Sequence, residues 1–216
     1  IDHSIPVISE EGPRIPFRRR SKWDVYWLVD PLDGTKEFIN KNGEFTTNIA
    51  LIKNHKPIIG LVHSPVNKVT YLGSSTFGSY CIDKYGDRRK LNANKLSDNN
   101  TPRVVVSRSH YSMKTNGFLK LLGKHQVVES GSSIKFCMIA DDKADIYPRL
   151  SPTSEWDTAA GHAVAIYAGA KVYAYNGFLE YNKKSNYINS SFLVSNEKYS
   201  NSLSIFKLTE ENNEKK

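Results

Sequence analysis

Residues 27–52 read WLVDPLDGTKEFINKNGEFTTNIALI and place two acids, Asp30 and Asp33, at the end of an apolar strand. Pro31 stiffens the turn between them, and Gly34 permits a positive φ angle or a close approach of the backbone. The segment from Thr35 is able to begin a helix. Because open α/β sheets bind ligands at the carboxyl ends of strands, the two carboxylates are expected to converge outside the sheet. On this stretch alone, a metal site and an ordinary turn with a capping aspartate are equal interpretations.

Acids elsewhere in the chain favour the metal interpretation. Glu10 and Glu11 follow the strand-like segment IPVIS, and Asp157 lies beside Trp156 at the start of a helix rich in small residues. Mg²⁺ prefers carboxylate and carbonyl oxygens. Two such ions, about 3.5–4 Å apart, can activate a water and stabilise the leaving oxygen of a phosphate ester. Each acid also has an ordinary interpretation. Glu10 and Glu11 could be loop acids, and this is the preferred interpretation of Glu11. Asp157 could be a favourable charge at a helix N-terminus.

The pattern of elements changes along the chain. Short apolar runs between residues 26 and 82 are broken by Pro, Gly and Asn and predict an antiparallel meander. From Arg103 onward, strand and helix patterns alternate. The polar stretch 91–100 is a soft boundary between a β-rich half, residues 1–100, and an α/β half, residues 101–216. The charged tail TEENNEKK, residues 209–216, is predicted to be disordered.

Composition limits the classes of protein. No window of the 216 residues approaches the roughly 18 apolar residues of a membrane span, so a cytoplasmic protein is expected. The two cysteines, Cys81 and Cys137, lie among apolar residues and are predicted to be buried thiols. The net charge of +8 is spread through loops without a recognition motif, which argues against a nucleic-acid partner. The one dense basic cluster, FRRRSK at residues 17–22, is interpreted as a solvated loop, with a polyanion site or an active-site lid as alternatives.

The acidic segments resemble the motifs of a known enzyme group. DPLDGT at residues 30–35 and WDTAAG at 156–161 resemble the two signatures of the lithium-sensitive, magnesium-dependent inositol monophosphatase superfamily. SEE at residues 9–11 resembles its upstream metal motif. Further segments are similar to those of its CysQ-type 3'(2'),5'-bisphosphate nucleotidases rather than its inositol phosphatases: KEF at 36–38, NGEF at 42–45, SRSH at 107–110 and GSSIKFC at 131–137.

This resemblance implies a fold. It is the layered α-β-α-β-α sandwich of the sugar phosphatases, an α/β fold in which residues 1–100 bind metal, residues 101–216 bind substrate and the site lies in the cleft between them. The helices and hairpin that usually open this fold, with their Thr-x-x-Asp segment, have no counterpart in the sequence, and we expect apolar surface to be exposed in their place. A fragment, a shortened but folded protein and a decaying enzyme remain open as explanations.

The resemblance also implies roles for individual residues. Metal ligands are Glu10, Asp30, the Leu32 carbonyl, Asp33 and Asp157, and the cofactor is two or more Mg²⁺ ions. Catalysis would involve Thr35, which orients the attacking water, together with Glu10 and Asp33. Substrate contacts would come from seven residues: Gly34, Thr35, His110, Ser132, Lys135, Arg149 and Asp157.

The implied activity is Mg²⁺-dependent hydrolysis of the 3'-phosphate of 3'-phosphoadenosine 5'-phosphate to AMP, in sulfur assimilation and nucleotide recycling. The partner would be this small nucleotide bisphosphate, with no nucleic acid and no membrane span. Two alternatives remain open. One is a phosphatase for inositol monophosphate or a sugar bisphosphate, and the other is a truncated nucleotide-binding remnant with little activity.

Overall fold

The computed structural model describes residues 4–95, 101–108 and 112–214, and the side chains of residues 213 and 214 are not described. The strands of the first sheet lie in chain order: β1 (Val7–Ser9), β2 (Val25–Asp33), β3 (Thr46–Lys53), β4 (Lys56–Ser64), β5 (Val69–Ser74), β6 (Gly78–Ile82) and β7 (Arg88–Lys90). Strands β2 to β7 pair antiparallel, which confirms the predicted meander. Strand β1 pairs parallel to β2, an arrangement that the sequence did not indicate. Two short helices, α1 (Phe17–Arg20) and α2 (Thr35–Ile39), lie in the connections that flank β2.

The second sheet is mixed and has helices on both faces. Its strands are β8 (Arg103–Ser107), β9 (Gln126–Ser130), β10 (Ile146–Arg149), β11 (Lys171–Ala174), β12 (Gly177–Phe178) and β13 (Phe192–Ser195), in the spatial order β12-β11-β13-β10-β8-β9. The remaining helices are α3 (Met113–Leu122), α4 (Ile134–Ala140), α5 (Glu155–Tyr167), a short 3₁₀ helix (Glu197–Tyr199) and α6 (Ser202–Glu214).

Alternating side chains of β8 show how the layers stack. Val105 belongs to the same buried cluster as Phe136 of α4, whereas Val104 belongs to the cluster of Phe118 on α3 and Phe206 on α6. Successive residues of a strand point to opposite faces, so α4 lies on one face of the second sheet and α3 and α6 on the other. The described residues therefore form a sheet–helix–sheet–helix stack, in agreement with the layered α/β fold expected from the sequence.

Helix α5 lies directly on the backbone of the first sheet. A Cβ atom added to Gly60 of β4 would lie 2.3 Å from the carbonyl oxygen of Ala160, and one added to Gly73 of β5 would lie 2.6 Å from Cα of Val164. Glycine at these strand positions is what allows the close approach. On the opposite face of the sheet, the neighbouring Ile59 is exposed; the apolar surface expected from the sequence stays a prediction.

The last helix corrects one prediction. Residues 209–214 are helical and belong to α6, although their charge suggested disorder. Phe206 is fully buried, and the buried Thr209 donates its hydroxyl to the Ile205 carbonyl at 2.8 Å. The apolar face of the helix therefore extends far enough to order the charged turns that follow it.

The basic cluster at residues 17–22 is not a uniformly solvated loop. Arg20 is completely buried, and its guanidinium donates to the carbonyls of Lys184 and Ser185 at 2.9 and 2.7 Å and to the Asn182 side chain. It also lies over the Tyr187 ring at 4.1 Å. Arg20 therefore fastens α1 to residues 182–187, while Arg18 and Arg19 remain exposed.

Two further expectations have structural outcomes. Cys81 and Cys137 are both free and buried, as predicted. Within the described ranges, the longest helices are too short or too polar to cross a membrane.

Candidate metal and phosphate site

The parallel pairing of β1 with β2 brings two acids to one edge of the first sheet. Ser9 lies opposite Val29, and the Glu10 N–H donates to the Val29 carbonyl at 3.2 Å. Since both strands run in the same direction, the residues that follow this pair, Glu10 and Asp30, lie side by side.

Helix α5 supplies a third acid to the same place. Asp157 is the third residue of α5, and its carboxylate accepts the Ser154 N–H at 2.8 Å in a capping box. Carboxylate oxygens of Glu10, Asp30 and Asp157 all lie within 4.8 Å of one another. The structure thus joins three of the predicted metal ligands from three separate parts of the chain.

Asp30 lies at the centre of this group. Its exposed fraction is only 1%; one carboxylate oxygen accepts the Leu32 N–H at 3.0 Å, and the other is buried without a hydrogen-bond partner. Burial and the nearby charges of Asp33, Glu10 and Asp157 raise the pKa of Asp30 to about 9. Burial, then Asp33, raise the pKa of Asp157 to about 7. The unpartnered Asp30 oxygen lies among carboxylates that repel one another, which destabilises the fold unless a cation binds there. All the ligand atoms are oxygens, the kind that Mg²⁺ prefers, so this group of acids fits Mg²⁺.

Asp33 faces the same cavity but is held differently. Strand β2 continues to Asp33 with a register irregularity after Asp30, so both acids lie in the last part of the strand rather than in a turn after it. One oxygen of Asp33 accepts the Ser132 hydroxyl at 2.6 Å and the Ser133 N–H at 2.7 Å. Asp33 therefore links the first sheet to the turn between β9 and α4.

The chain reverses immediately after Asp33. Gly34 has a φ of +92°, as its position in the sequence predicted, and caps the five-residue helix α2 that begins at Thr35. A Cβ on Gly34 would lie 3.2 Å from a carboxylate oxygen of Glu37 and 3.4 Å from the Ser132 Cβ. The left-handed backbone favours glycine, and its small size keeps the cavity wall open here.

These groups line one cavity of about 270 Å³. Every predicted site residue within the described ranges lies on its wall: Glu10, Asp30, Leu32, Asp33, Gly34, Thr35, Ser132, Lys135, Arg149 and Asp157. His110 lies outside the described residues. Acids and cations therefore line the same cavity.

Lys135 is one of the two cations. Its side chain is buried, and its ammonium donates to the Ser132 carbonyl at 2.5 Å and more weakly to the Ser130 carbonyl at 3.4 Å. Burial lowers the pKa of Lys135 to about 8, and the positive charge of Arg149 acts in the same direction, while Asp33 opposes it. A lysine beneath the cavity wall can complete its hydrogen bonds with an anion placed above it.

Arg149, the last residue of β10, is the other cation. Its guanidinium donates to the carbonyls of Ser151 and Pro152 at 3.2 and 3.1 Å. These bonds fix the planar group at the cavity wall, where its remaining donors can bind two oxygens of one anion.

Sequence reasoning did not single out several cavity residues. Ser107 and Thr158 occur within the motifs compared above, so those motifs were a signal that could have found them. Glu37, Tyr147 and Thr153 also line the cavity. Tyr147 and Thr153 carry no local signal, because only the packing of the second sheet against α5 brings them to this cavity.

Comparisons with known proteins agree with this geometry. Residues 2–213 match the inositol monophosphatase family. The chain is 48% identical over 191 residues to the 3'(2'),5'-bisphosphate nucleotidase CysQ of Salmonella typhimurium, covering 88% of this chain and 75% of the relative. It is 44% identical over 200 residues to CysQ of Buchnera aphidicola, covering 90% and 73%.

Solved structures give the same result. The crystal structure of CysQ from Bacteroides thetaiotaomicron superposes with a TM-score of 0.83 at 39% identity, covering 91% of this chain and 78% of that one. Mycobacterium tuberculosis SuhB, at 21% identity and a TM-score of 0.73, shares the fold. The resemblance to the CysQ proteins is therefore confirmed, and the chain belongs to the inositol monophosphatase family.

Proposed function

We propose that this protein is a Mg²⁺-dependent 3'(2'),5'-bisphosphate nucleotidase that converts 3'-phosphoadenosine 5'-phosphate to AMP and phosphate. The observation that carries the proposal is one cavity lined both by the group of acids and by Lys135 and Arg149. An inositol monophosphate offers one phosphate, whereas two cations in addition to a metal-binding group of acids suit a ligand with two. The identity of 48% to a CysQ nucleotidase supports the same substrate class.

In this proposal the acids hold the metal and the first phosphate is cleaved beside them. Glu10, Asp30, Asp157, the Leu32 carbonyl and the oxygen of Asp33 that faces away from Ser132 and Ser133 would ligate two or more Mg²⁺ ions. Such ions, when bound, lower the pKa of a water and stabilise negative charge on the leaving ribose oxygen.

Protein groups next to the acids would orient the reactants. The Thr35 hydroxyl would orient the attacking water, and the backbone N–H groups of Gly34 and Thr35 would donate to the scissile phosphate. Because these donors are fixed by the turn before α2, they need no rearrangement as charge develops.

The second phosphate would bind beside the two cations of the cavity. Lys135 and Arg149 supply positive charge there, Ser132 would contact the substrate from the turn before α4, and His110 would contact the same end of the nucleotide. Residues 1–100 would thus supply most of the metal ligands, with Asp157 coming from the second half, and residues 101–216 would bind most of the substrate. A cytoplasmic location and a role in sulfur assimilation and nucleotide recycling complete the proposal.

Phosphate release from 3'-phosphoadenosine 5'-phosphate tests the proposal, with Mg²⁺, with a chelator, and with inositol monophosphate in parallel. We expect Mg²⁺-dependent release that is selective for the nucleotide. Asp33→Asn and Asp157→Asn should each lower kcat by about 10²-fold or more, because each removes an interaction with developing charge.

The neighbouring exposed acid provides a matched control. Glu11→Gln removes the same kind of charge beside Glu10 but outside the cavity, and it should leave activity unchanged. Activity that survives both aspartate substitutions would refute the proposed site, and preference for inositol monophosphate would refute the proposed substrate.

A further inference from the structure

Glu44 reaches across the cleft from outside the group of acids. It lies between α2 and β3, and its carboxylate accepts the N–H of Gly131 at 2.8 Å. Arg108 donates to the same carboxylate twice, from Nη2 at 2.8 Å and from Nε at 3.1 Å. The first of these contacts ties Glu44 to the three-residue turn 131–133, which joins β9 to α4.

This turn has a conformation that its own residues do not favour. Ser132 has a φ of +52°, in the left-handed region that non-glycine residues rarely adopt. At Gly131, a Cβ atom would lie 2.8 Å from Cγ of Glu37 and 3.0 Å from Cβ of Glu44. A residue in such a conformation persists only where its surroundings hold it, and Glu44 is one of the groups that surround it.

The same turn contacts both sides of the candidate site. Ser132 and Ser133 donate to Asp33 at 2.6 and 2.7 Å, and the Ser132 carbonyl accepts the Lys135 ammonium at 2.5 Å. A shift of the turn would therefore move a proposed metal ligand and a proposed phosphate-binding lysine together.

We propose that Glu44 is a positioning residue, which sets the turn 131–133 through its bond to the Gly131 N–H and thereby aligns Asp33 and Lys135. Arg108 orients the Glu44 carboxylate. The Arg108 side chain is 45% exposed, and ion pairs of that kind contribute little by themselves. The bond to a backbone N–H is what distinguishes Glu44 from an ordinary surface acid. The kinetic consequence of this inference rests on the proposed nucleotidase function.

The first experiment compares Glu44→Ala with Glu44→Gln. Glutamine keeps a carbonyl oxygen that can accept the Gly131 N–H, whereas alanine leaves that donor without its partner. We expect Glu44→Ala to raise KM for 3'-phosphoadenosine 5'-phosphate about tenfold, the usual effect of one lost hydrogen bond of this kind. Glu44→Gln should stay within about threefold of the wild type.

Glu129 offers a matched control. Its carboxylate lies 3.6 Å from the Arg108 guanidinium and its side chain is 53% exposed, but within the described residues this side chain makes no hydrogen bond or ion pair with the turn 131–133. Glu129→Gln should leave KM unchanged. The double variant Glu44→Ala/Ser132→Ala tests whether Glu44 acts through the turn. If it does, the double variant should raise KM by less than the product of the factors measured for the two single variants.

Amide hydrogen exchange of the peptide 128–137, without metal or substrate, gives a readout that does not depend on activity. Exchange in this peptide should be faster in Glu44→Ala and close to the wild type in Glu44→Gln. An unchanged exchange rate in Glu44→Ala would overturn the inference, as would equal damage by both substitutions or a global loss of folding in Glu44→Ala. An inactive wild type would refute the proposed function and leave this exchange test decisive for Glu44.

Discussion

At the scale of single residues, Lys135 shows how environment changes the meaning of a sequence. A lysine at the start of a helix reads as a solvated charge, yet this one is buried under the cavity wall beside the Tyr147 ring, 5.6 Å from its ammonium. The family resemblance named Lys135 as a substrate contact, but it did not indicate that the side chain is buried. The layered packing of α4 between the two sheets accounts for the burial.

The lowered pKa of Lys135 predicts an alkaline limit to substrate affinity. The pKa is about 8 instead of its ordinary value of 10.5, so the charge that binds phosphate is present below pH 8 and is lost above it. Above about pH 8 we expect KM for the nucleotide to rise, by up to tenfold per pH unit, as the protonated fraction of Lys135 falls. The rise should level off once Lys135 no longer contributes to phosphate binding.

Measurement of KM from pH 6.5 to 9.5 checks this expectation. In Lys135→Met, KM should be higher throughout and its rise above pH 8 should disappear. Lys124→Met, at an exposed lysine outside the cavity, should keep the wild-type profile. A wild-type KM that stays constant to pH 9.5 would contradict the assignment of Lys135 to phosphate binding.

At the scale of elements, the close packing of α5 on the first sheet determines where Asp157 lies. The glycines of β4 and β5 allow the middle of the helix, at residues 160–164, to contact the backbone of the sheet directly. We predict that Gly60→Ala lowers the free energy of unfolding by about 1–3 kcal/mol, because the added methyl group would overlap the Ala160 carbonyl.

Gly117 in α3 is the control for this substitution. Its nearest neighbour for an added Cβ is a Thr209 methyl group at 3.9 Å. Gly117→Ala should therefore stabilise the protein by about 0.5–1 kcal/mol, the helix preference for alanine over glycine. Denaturant unfolding of both variants measures the two changes, and a Gly60→Ala protein as stable as the wild type would show that α5 can shift on the sheet.

The sequence predicted some elements well and others poorly, for physical reasons. The antiparallel strands β3 to β7 are joined by connections of two to five residues, most of which contain Asn, Pro or Gly, so local sequence indicates where these strands end. The parallel pairing of β1 depends on a distant strand and leaves no such local signal. In α6, the charges of residues 209–214 suggested disorder, while the apolar residues that order the helix come earlier, at Phe206 and its neighbours.

At the scale of the whole molecule, the candidate metal site is composite. Glu10 and Asp30 come from the first sheet and Asp157 from α5. Their spacing in the sequence does not predict that these three acids lie together. That prediction came from the resemblance of three short motifs to one family. Glu44 belongs to a motif segment too, but its bond to Gly131 became evident only when both sides of the cleft were in place.

A ligand that joins separate parts of the chain should stabilise their arrangement. We predict that Mg²⁺ raises the Tm of the wild type, because it would bind the folded state and not the unfolded one. The rise should be lost in Asp30→Asn and in Asp157→Asn and kept in Glu11→Gln. Thermal unfolding with Mg²⁺ and with chelator measures it, and an equal rise in all four proteins would show that the ion binds elsewhere.

The three-residue strand β1 gives the protein a point of local weakness. Among the residues that the structure describes, it lies at the edge of its sheet and pairs with β2 alone, yet it brings Glu10 to the other acids. Short edge elements open with less free energy than a core does. Warming would then release Glu10 while the rest of the molecule stays folded, so catalytic lifetime would follow the fraying of one strand and not the melting of the core.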